Sequence, residues 1–327
     1  MTRTAVVALG GNAFTQAGQA GSHREQYDNA VAMANTVANV RAAGWNVVLV
    51  HGNGPQVGNL AIQQEEGLGL VPGQPLFALD AMTQGQLGSL ISLAMHAVDP
   101  KAAVVALVTH AVVSREDPAF ADPTKPIGPF FTRERADELT AERGWVVAED
   151  AGRGFRRVVA SPRPVDVVES AAIATLVASG TIVIAGGGGG VPVVDDGGAL
   201  VGVEAVIDKD YMAAHLATEL GAEALVLVTG VPRVMLDFGR PTARAIDQVD
   251  VDEAERYQAE GQFPEGSMGP KIRAATQFLR TGGSIAVITS PDLVAASLLQ
   301  TEGSGTRIVA APATPSPCAP GTVTVTA

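Results

Sequence analysis

Short apolar runs alternate along the chain with longer segments whose apolar residues recur at helical spacing. The apolar runs are rich in Val, Ile, Leu and Ala, and lie at 4–9, 46–50, 103–108, 181–185, 224–229, 284–289 and 306–310. Such runs are typical of strands buried on both faces of a sheet. From Tyr27 to Ala38 the spacing predicts a helix, which Gly44 ends just before the second strand. The pattern therefore predicts βαβ units with right-handed crossovers in one open α/β sheet.

The alternation is interrupted at 115–160, where prolines and arginines are dense. Because prolines in such numbers disfavour regular core structure, we expect an inserted subdomain or lid that projects from the sheet. Lys125 stands between Pro123 and Pro126, so its ammonium group is presented rigidly. A helical pattern then resumes over 165–179. The final segment, 311–327, is almost uncharged and predicts a disordered tail, to which we assign no function.

Glycine-rich turns follow three of the predicted strands. They are Gly10-Gly11-Asn12, Gly52-Asn53-Gly54 and the five glycines of 186–190. The carboxyl ends of parallel strands meet at one edge of a sheet, and bare N–H groups hold phosphate or carboxylate, so the turns predict one polyanion site. The five glycines could instead form a linker. Hydrophobic segments on both sides make that interpretation the weaker one.

Composition narrows the class of protein. Of 327 residues, 46% are apolar and only 4% aromatic, which suits helices packed closely on a parallel sheet. The net charge of −12 disfavours binding to nucleic acid or to an anionic membrane surface. No apolar run approaches the roughly 20 residues of a membrane helix, and a strand begins where a signal peptide would lie. Cys318 is the only cysteine, so we expect no disulfide and a cytoplasmic location.

The scarcity of lysine makes each one informative. There are four, Lys101, Lys125, Lys209 and Lys271, and the last three lie near glycine turns or strand ends. A phosphoryl group in transfer spreads negative charge over its oxygens, so positioned cations matter more to its chemistry than a general base. Lys209 and Lys271 can neutralise phosphates, and Asp210 can hold a lysine or Mg²⁺. Alternatively, Asp208-Lys209-Asp210 forms only a local ion pair at a helix start.

Several common signatures are missing from the sequence. It has no Walker-type phosphate loop, no His-Arg-Asp kinase motif, and no Gly-x-Gly-x-x-Gly turn after the first strand. A dinucleotide-dependent oxidoreductase is therefore the weaker enzyme hypothesis. The histidines lack the close spacing of a zinc-ligand set, and we predict no protein-held metal site.

The motifs match a known family. The chain resembles the carbamate kinases, of the amino acid kinase superfamily, from Val6 to about Ile308. The resemblance is carried by ordered motifs at 8–13, 51–58, 123–130, 187–192, 202–210 and 266–271, among them His51-Gly52-Asn53-Gly54-Pro55-Gln56-Val57-Gly58 and Gly266-Ser267-Met268-Gly269-Pro270-Lys271.

The resemblance implies a fold and a reaction. The expected fold is a three-layer αβα sandwich around a mainly parallel open sheet of about eight strands, with a small protruding subdomain, in a homodimer. One kinase domain would cover 1–310, with an acceptor lobe at 1–180 and a nucleotide lobe at 181–310. Such enzymes interconvert ATP and carbamate with ADP and carbamoyl phosphate, with Mg²⁺, commonly in arginine catabolism.

The resemblance also assigns roles to residues. The acceptor and the transferring phosphoryl group would be bound by Gly10, Gly11, Asn12, Gly52, Asn53, Gly54, Gly186 and Gly187. The catalytic groups would be Lys125, Lys209, Asp210 and Lys271, and the nucleotide would lie against Lys209, Gly230, Met235, Met268 and Lys271. Two positions depart from the family, which usually has Asp at 230 and an aromatic residue at 235. We expect any functional departure to affect nucleotide affinity or choice.

Two alternatives stay open at this point. One is a kinase of another small carboxylate or phosphonate on the same fold. The other is a non-catalytic sensor that binds carbamoyl phosphate or nucleotide and signals by lid closure. Retention of all three lysines argues against the sensor, whereas Gly230 and Met235 argue for it.

Overall fold

The computed structural model describes residues 3–10, 13–16, 18–150 and 154–311. Its strands are β1 (Arg3–Leu9), β2 (Trp45–His51), β3 (Val104–Ala106), β4 (His110–Val113), β5 (Lys125–Phe131), β6 (Val147–Glu149), β7 (Phe155–Val159), β8 (Pro164–Val167), β9 (Ile182–Ile184), β10 (Val191–Asp196), β11 (Ala199–Gly202), β12 (Ala224–Val228), β13 (Met235–Leu236), β14 (Arg244–Ala245), β15 (Gln248–Asp250), β16 (Ile285–Thr289) and β17 (Thr306–Val309). Its helices are α1 (His23–Ala42), α2 (Gly54–Gly67), α3 (Leu76–Val98), α4 (Arg133–Arg143), α5 (Ser170–Ala178), α6 (Lys209–Glu219), α7 (Val251–Ala259), α8 (Met268–Arg280) and α9 (Val294–Leu298).

An eight-stranded sheet forms the centre of the fold, in the order β15-β17-β16-β12-β1-β2-β9-β3. The pairs from β16 to β3 are parallel, and β17 runs antiparallel to β16. The predicted mainly parallel α/β sheet of about eight strands is confirmed. The strand order reverses direction at β1, which has β2 on one side and β12 on the other.

The side chains of β1 point alternately to the two faces of the sheet, and each face is covered by a layer of helices. Val6 and Ala8 pack into the cluster that holds α6 and α8, whereas Ala5, Val7 and Leu9 pack into the cluster that holds α1 and α3. Successive side chains of a strand point to opposite faces, so a continuous apolar run buries both. Each fully buried Val or Leu contributes about 1.5–3 kcal/mol, and the result is the expected helix–sheet–helix sandwich.

A smaller sheet, in the order β5-β7-β6, lies over α2. The backbones of α2 and β5 are in direct contact. A β-carbon on Gly58 of α2 would lie only 2.0 Å from the Gly128 Cα of β5. Gly128 has φ +73°, and its carbonyl accepts from Arg156 Nε at 2.9 Å. Only glycines allow an approach this close, so this contact seats the segment that carries Lys125.

Three predictions of local structure need correction. Residues 165–179 do not form one helix: β8 ends at Val167 and α5 begins at Ser170. The prolines of 123–129 do not prevent regular structure, since Pro126 and Pro129 lie in β5. That strand is at the edge of its sheet, with a register irregularity between Ile127 and Phe131, and an edge tolerates missing N–H donors. β3 was expected to be a buried strand over 103–108, but it is three residues long and half-exposed at the sheet edge.

Within the described residues, no helix has the length and apolar content needed to cross a membrane. The predicted tail lies outside the described residues from 312 onward, as does Cys318.

Candidate active site

A cavity of about 690 Å³ opens at the carboxyl ends of β1 and β12. Gly10 lines it from the end of β1, and Val228, Thr229 and Gly230 line it from the end of β12. This is the point at which the strand order reverses, where open α/β sheets bind their ligands. The sheet topology therefore places a ligand site beside the first glycine turn.

Asp208 joins the protruding sheet to the start of α6. One carboxylate oxygen, Oδ1, caps α6 by accepting from the Asp210 N–H at 2.9 Å. The other, Oδ2, forms an ion pair with Lys125 Nζ of β5. Lys125 is thereby brought to the cavity, although it lies more than 80 residues earlier in the chain.

Asp210 gathers the two remaining lysines. Its Oδ2 accepts from Lys271 Nζ of α8 at 2.8 Å, and its Oδ1 lies 3.1 Å from Lys209 Nζ. The Asp210 side chain is 3% exposed. Three ammonium groups thus meet two carboxylates, which leaves a surplus of one positive charge (3 − 2 = +1) at the cavity wall.

The pKa shifts follow from burial and from these neighbours. Burial alone would raise the pKa of Asp208, but Lys125 and Lys209 outweigh it and lower that pKa. Burial likewise opposes ionisation of Asp210, and Lys209 and Lys271 hold its pKa below the usual range. The pKa of Lys271 is lowered by burial and by repulsion from Lys209, which outweigh its attraction to Asp210. Both carboxylates are therefore ionised at neutral pH, as organisers of cations must be.

The five glycines of 186–190 are all buried and serve close packing. A β-carbon on Gly187 would lie 2.3 Å from His51 Nε2, and one on Gly188 would lie 2.3 Å from Asn53 Nδ2. The Gly186 N–H donates to Thr109 Oγ1 at 3.0 Å. The N–H groups of Gly189 and Gly190 donate back into the turn. Three of the five N–H groups are therefore used internally, so only part of the expected anion nest is free.

Some of the residues predicted for the site line the cavity and others do not. Those that line it are Gly10, Lys125, Lys209, Asp210, Gly230, Met235, Met268 and Lys271. Outside its lining lie Gly52, Asn53 and Gly54, at the end of β2, and Gly186 and Gly187, at the end of the neighbouring β9. Gly11 and Asn12 lie outside the described residues.

Sequence reasoning missed three buried polar residues of α3. Asp80, Thr83 and Gln84 are at most 3% exposed. Gln84 exchanges two hydrogen bonds with the backbone of Thr109, the residue that holds Gly186. Asp80 and Thr83 both accept from Asn53 Nδ2. The available signal was three polar side chains spaced three and four apart, on one face of an otherwise apolar helix.

Part of the cavity lining is apolar. Its walls there include Val231, Met235, Phe238, Phe263, Pro264 and Met268. Phe238 is 72% exposed, an unusual degree for a large aromatic residue. It follows Asp237, which has φ +53° and is held by its N–H donating to Gln262 Oε1 at 2.8 Å. The cavity lining thus combines the lysine cluster with an exposed aromatic face.

Position 230 has room for a side chain. A β-carbon on Gly230 would meet no atom of the described residues within 4 Å, and its φ is not positive. Packing therefore does not require glycine here. Among the described residues, no group of three or more His, Cys, Asp or Glu side chains is arranged to hold a metal ion.

Comparison with known proteins adds to this geometry. The profile of the Amino acid kinase family matches residues 3–290. A carbamate kinase of Thermococcus kodakarensis is 45% identical over 312 residues, which cover 93% of this chain and 98% of that protein. The carbamate kinase-like protein YahI of Escherichia coli is 45% identical over 306 residues, 91% of this chain and 96% of that protein.

A solved structure is also similar. Carbamate kinase from Giardia lamblia bound to AMP-PNP superposes with a TM-score of 0.87 at 38% identity, covering 94% of this chain and 99% of that one. The likeness extends over nearly the whole of both chains, so it includes both the cavity and the protruding sheet.

Proposed function

The chain belongs to the amino acid kinase family, among its carbamate kinases, and from this premise we propose that it interconverts ATP and carbamate with ADP and carbamoyl phosphate. It is a carbamate-kinase-like phosphotransferase. The observation that carries the proposal is the meeting of Lys125, Lys209 and Lys271 around two carboxylates at the cavity wall, the buried Asp210 and the partly buried Asp208.

The chemistry needs charge stabilisation and positioning. In the direction of ATP formation, the bond between phosphorus and the carbamate oxygen breaks, and a β-phosphate oxygen of ADP bonds to the same phosphorus. Carbamate leaves as an anion, so no proton moves and no general base is required. Lys209 and Lys271 would neutralise the phosphates, while Lys125 would reach the transferring group from β5. Cations fixed in a partly dry site stabilise such a transition state more strongly than they would in water.

The residues that line the cavity support one orientation of the nucleotide. The phosphates would lie at the lysine cluster, and the base would lie against Met235, Met268 and Phe238. Stacking on Phe238 could replace the aromatic face that Met235 does not provide. Gly230, with open space around it, would leave this part of the nucleotide without the carboxylate that relatives usually have.

Mg²⁺ would be bound mainly by the nucleotide. Both oxygens of Asp210 already face ammonium groups, and Asp208 pairs with Lys125. The described residues therefore fit a metal ion that arrives on nucleotide phosphates better than one held in a protein cage. Mg²⁺ supplies charge neutralisation between the phosphates when bound.

We also propose a homodimer in the cytoplasm that takes part in arginine breakdown. These finer statements are supported by the resemblance to the family. Exposed apolar side chains at Leu68, Leu70 and Val71 are consistent with a contact surface between subunits. Sedimentation velocity would test the dimer.

Formation of ATP from ADP and carbamoyl phosphate tests the proposal. We expect turnover in the wild type, and a fall in kcat on the order of 100-fold or more in Lys209→Ala, because a positioned cation is lost. Lys101→Ala removes an exposed lysine outside the cavity and is the matched control. Binding of ADP without turnover, or turnover with a different carboxylate only, would contradict the proposal.

A further inference from the structure

Helix α2 begins without the cap that its sequence provides. Asn53 occupies the N-cap position, where asparagine usually accepts from a backbone N–H of the first turn. Its side chain makes no capping hydrogen bond. The side chains of Ser22, Thr132, Asp208 and Asp250 cap their helices, whereas that of Ser267 at the start of α8, like that of Asn53, does not. The uncapped start of α2 lies at the end of β2, beside the glycine turn.

The Asn53 amide is turned toward α3 instead. Its Nδ2 donates to Asp80 Oδ1 at 3.0 Å and to Thr83 Oγ1 at 2.9 Å. The Thr83 hydroxyl donates its own proton to the Asp80 carbonyl at 2.7 Å. Thr83 Oγ1 can therefore only accept from Asn53, which fixes the orientation of the amide group. Gly188 packs against the same Asn53 amide, so the side chain has no room to turn in that direction.

This arrangement leaves donors free at the start of α2. Pro55 has no N–H, and the first backbone bond of the helix is made by Val57 to the Asn53 carbonyl at 2.9 Å. Within the described residues, the N–H groups of Gly54 and Gln56 have no acceptor outside the helix. These groups carry the positive end of the helix dipole.

A second feature of the same turn points to a ligand. The Gln56 side chain is 3% exposed, and within the described residues neither its Oε1 nor its Nε2 has a hydrogen-bond partner. A buried amide with both polar atoms unpaired is costly unless a bound group or water satisfies it. Asp80 Oδ2, which is also buried, likewise has no partner in the described part of the chain.

We propose that Asp80 and Thr83 are positioning residues, which hold the Asn53 amide away from α2 so that the first-turn N–H groups stay open to the anionic acceptor. The acceptor is carbamate or the carboxyl-phosphate end of carbamoyl phosphate, and in naming it this inference rests on the proposed function. Capping by Asn53 would compete with the anion for the same donors, so diverting the amide favours ligand binding over helix stability.

Asp80 performs this role as a neutral acid. Burial raises the pKa of Asp80 well above its ordinary value, and the bond from Asn53 opposes that rise only in part. A protonated carboxyl still accepts through Oδ1, and its hydroxyl at Oδ2 adds no buried charge beside the incoming anion. Asparagine at position 80 would keep the acceptor and the neutrality.

Paired variants test the proposal through Michaelis constants. Thr83→Val and Asp80→Leu each remove one acceptor of the Asn53 amide, and Thr83→Ser and Asp80→Asn each keep it. We expect the first pair to raise KM for carbamoyl phosphate about fivefold, with KM for ADP and kcat nearly unchanged. The reason is that the released Asn53 side chain can cap α2 and so competes with the anion for the first-turn N–H groups. Thr83→Ser and Asp80→Asn should keep the wild-type KM for carbamoyl phosphate. The dependence of kcat on pH in Asp80→Asn should match that of the wild type.

Ser92→Ala is the control on the same helix, since it removes only a bond from Ser92 Oγ to the Gly88 carbonyl. Equal rises in KM for both substrates, or no rescue by Thr83→Ser, would overturn the proposal. So would a collapse of kcat in Asp80→Asn, which would indicate an ionised Asp80. If Asp80→Leu does not fold, the Thr83 pair decides the question.

Hydrogen exchange separates this inference from the proposed function. In the wild type, the backbone N–H of Gln56 should exchange rapidly with solvent, and it should become protected when inorganic phosphate is added. In Thr83→Val combined with Asp80→Leu, it should be protected without phosphate. This result needs no turnover, so it stands even if the enzyme uses another acceptor. Protection of Gln56 in the unliganded wild type would refute the open helix end.

Discussion

At the scale of single residues, Asp210 determines the electrostatics of the site. It is buried, it is 2% exposed as a residue, and it separates two ammonium groups that would otherwise repel each other. Removing one member of a buried charge cluster leaves the others uncompensated. Asp208 has a different role, since it also caps α6 and holds the side chain from β5.

We predict that Asp210→Asn lowers the free energy of unfolding by about 3 kcal/mol and reduces kcat at least 100-fold, because Lys209 and Lys271 lose their common counterion. Chemical denaturation and the ATP-formation assay measure the two effects. Asp252→Asn is the matched control, because its pair with Arg280 is exposed to solvent and contributes little to stability. Equal losses in the two variants would contradict the assigned role.

His51 gives the protein a specific acid sensitivity. Burial lowers its pKa from 6.5 to about 4, although the Gly52 carbonyl favours the charged form. Between pH 6.5 and 4 the unfolded chain takes up a proton at His51 that the folded protein does not. The free energy of unfolding therefore falls as the pH falls through this window.

We expect this contribution to reach about 2–3 kcal/mol between pH 7 and pH 4.5. His51→Asn should remove it, so the stability difference between wild type and variant should shrink by that amount at pH 4.5. Denaturation at the two pH values measures the difference. A difference that does not change with pH would show that His51 is not the group responsible.

At the scale of elements, the turn 186–190 is shaped by what packs against it. Gly188 has φ +68° and lies against the Asn53 amide, while Gly197 has φ +65° in the hairpin between β10 and β11 with no atom near its would-be β-carbon. The two glycines share a backbone conformation and differ in surroundings. They form a natural pair for separating strain from contact.

We predict that Gly197→Ala costs about 1–2 kcal/mol, which is the backbone strain alone. Gly188→Ala should cost at least about 3 kcal/mol and should lower kcat, because the added carbon displaces Asn53. Thermal unfolding and turnover report the two effects. Similar values for both variants would mean that contact with Asn53 contributes nothing.

At the scale of the whole molecule, the protruding sheet and the α/β core must meet correctly for the site to form. Lys125, which pairs with Asp208, is carried by β5, and β5 is seated on α2 through Gly58 and Gly128. The contact is distant from the chemistry along the chain, yet it sets where one of the three cations lies.

We expect Gly58→Ala to reduce kcat tenfold to a hundredfold, since a displacement near 1 Å at Lys125 weakens stabilisation of the transferring group. Gly67→Ala, in the same helix, is the control, because its β-carbon would meet only the Val71 side chain at 3.8 Å. Steady-state kinetics of the two variants settles the comparison. An active Gly58→Ala enzyme would show that seating of the small sheet does not position Lys125.

The sequence contained the local patterns from which strands and helix ends can be predicted. Uninterrupted apolar runs predicted the buried strands, and Gly44 with φ +84° ends α1 as expected. The scarcity of lysine drew attention to Lys125, Lys209 and Lys271, and Asp210 stood out because it follows Lys209. The resemblance to the carbamate kinases predicted that they act together. In contrast, β8 and the proline-containing β5 were not predicted, because neighbouring strands stabilise them against their own composition.

The sequence by itself therefore determined the fold class, the family and the cationic groups, since strand burial and glycine turns leave local patterns. Only the tertiary structure decided which carboxylate each lysine faces, and that the 186–190 turn chiefly accommodates His51 and Asn53. It also decided that Asn53 bonds to α3 in place of capping α2. Those outcomes depend on distances between segments far apart in the chain, and no periodicity in a single segment encodes such distances.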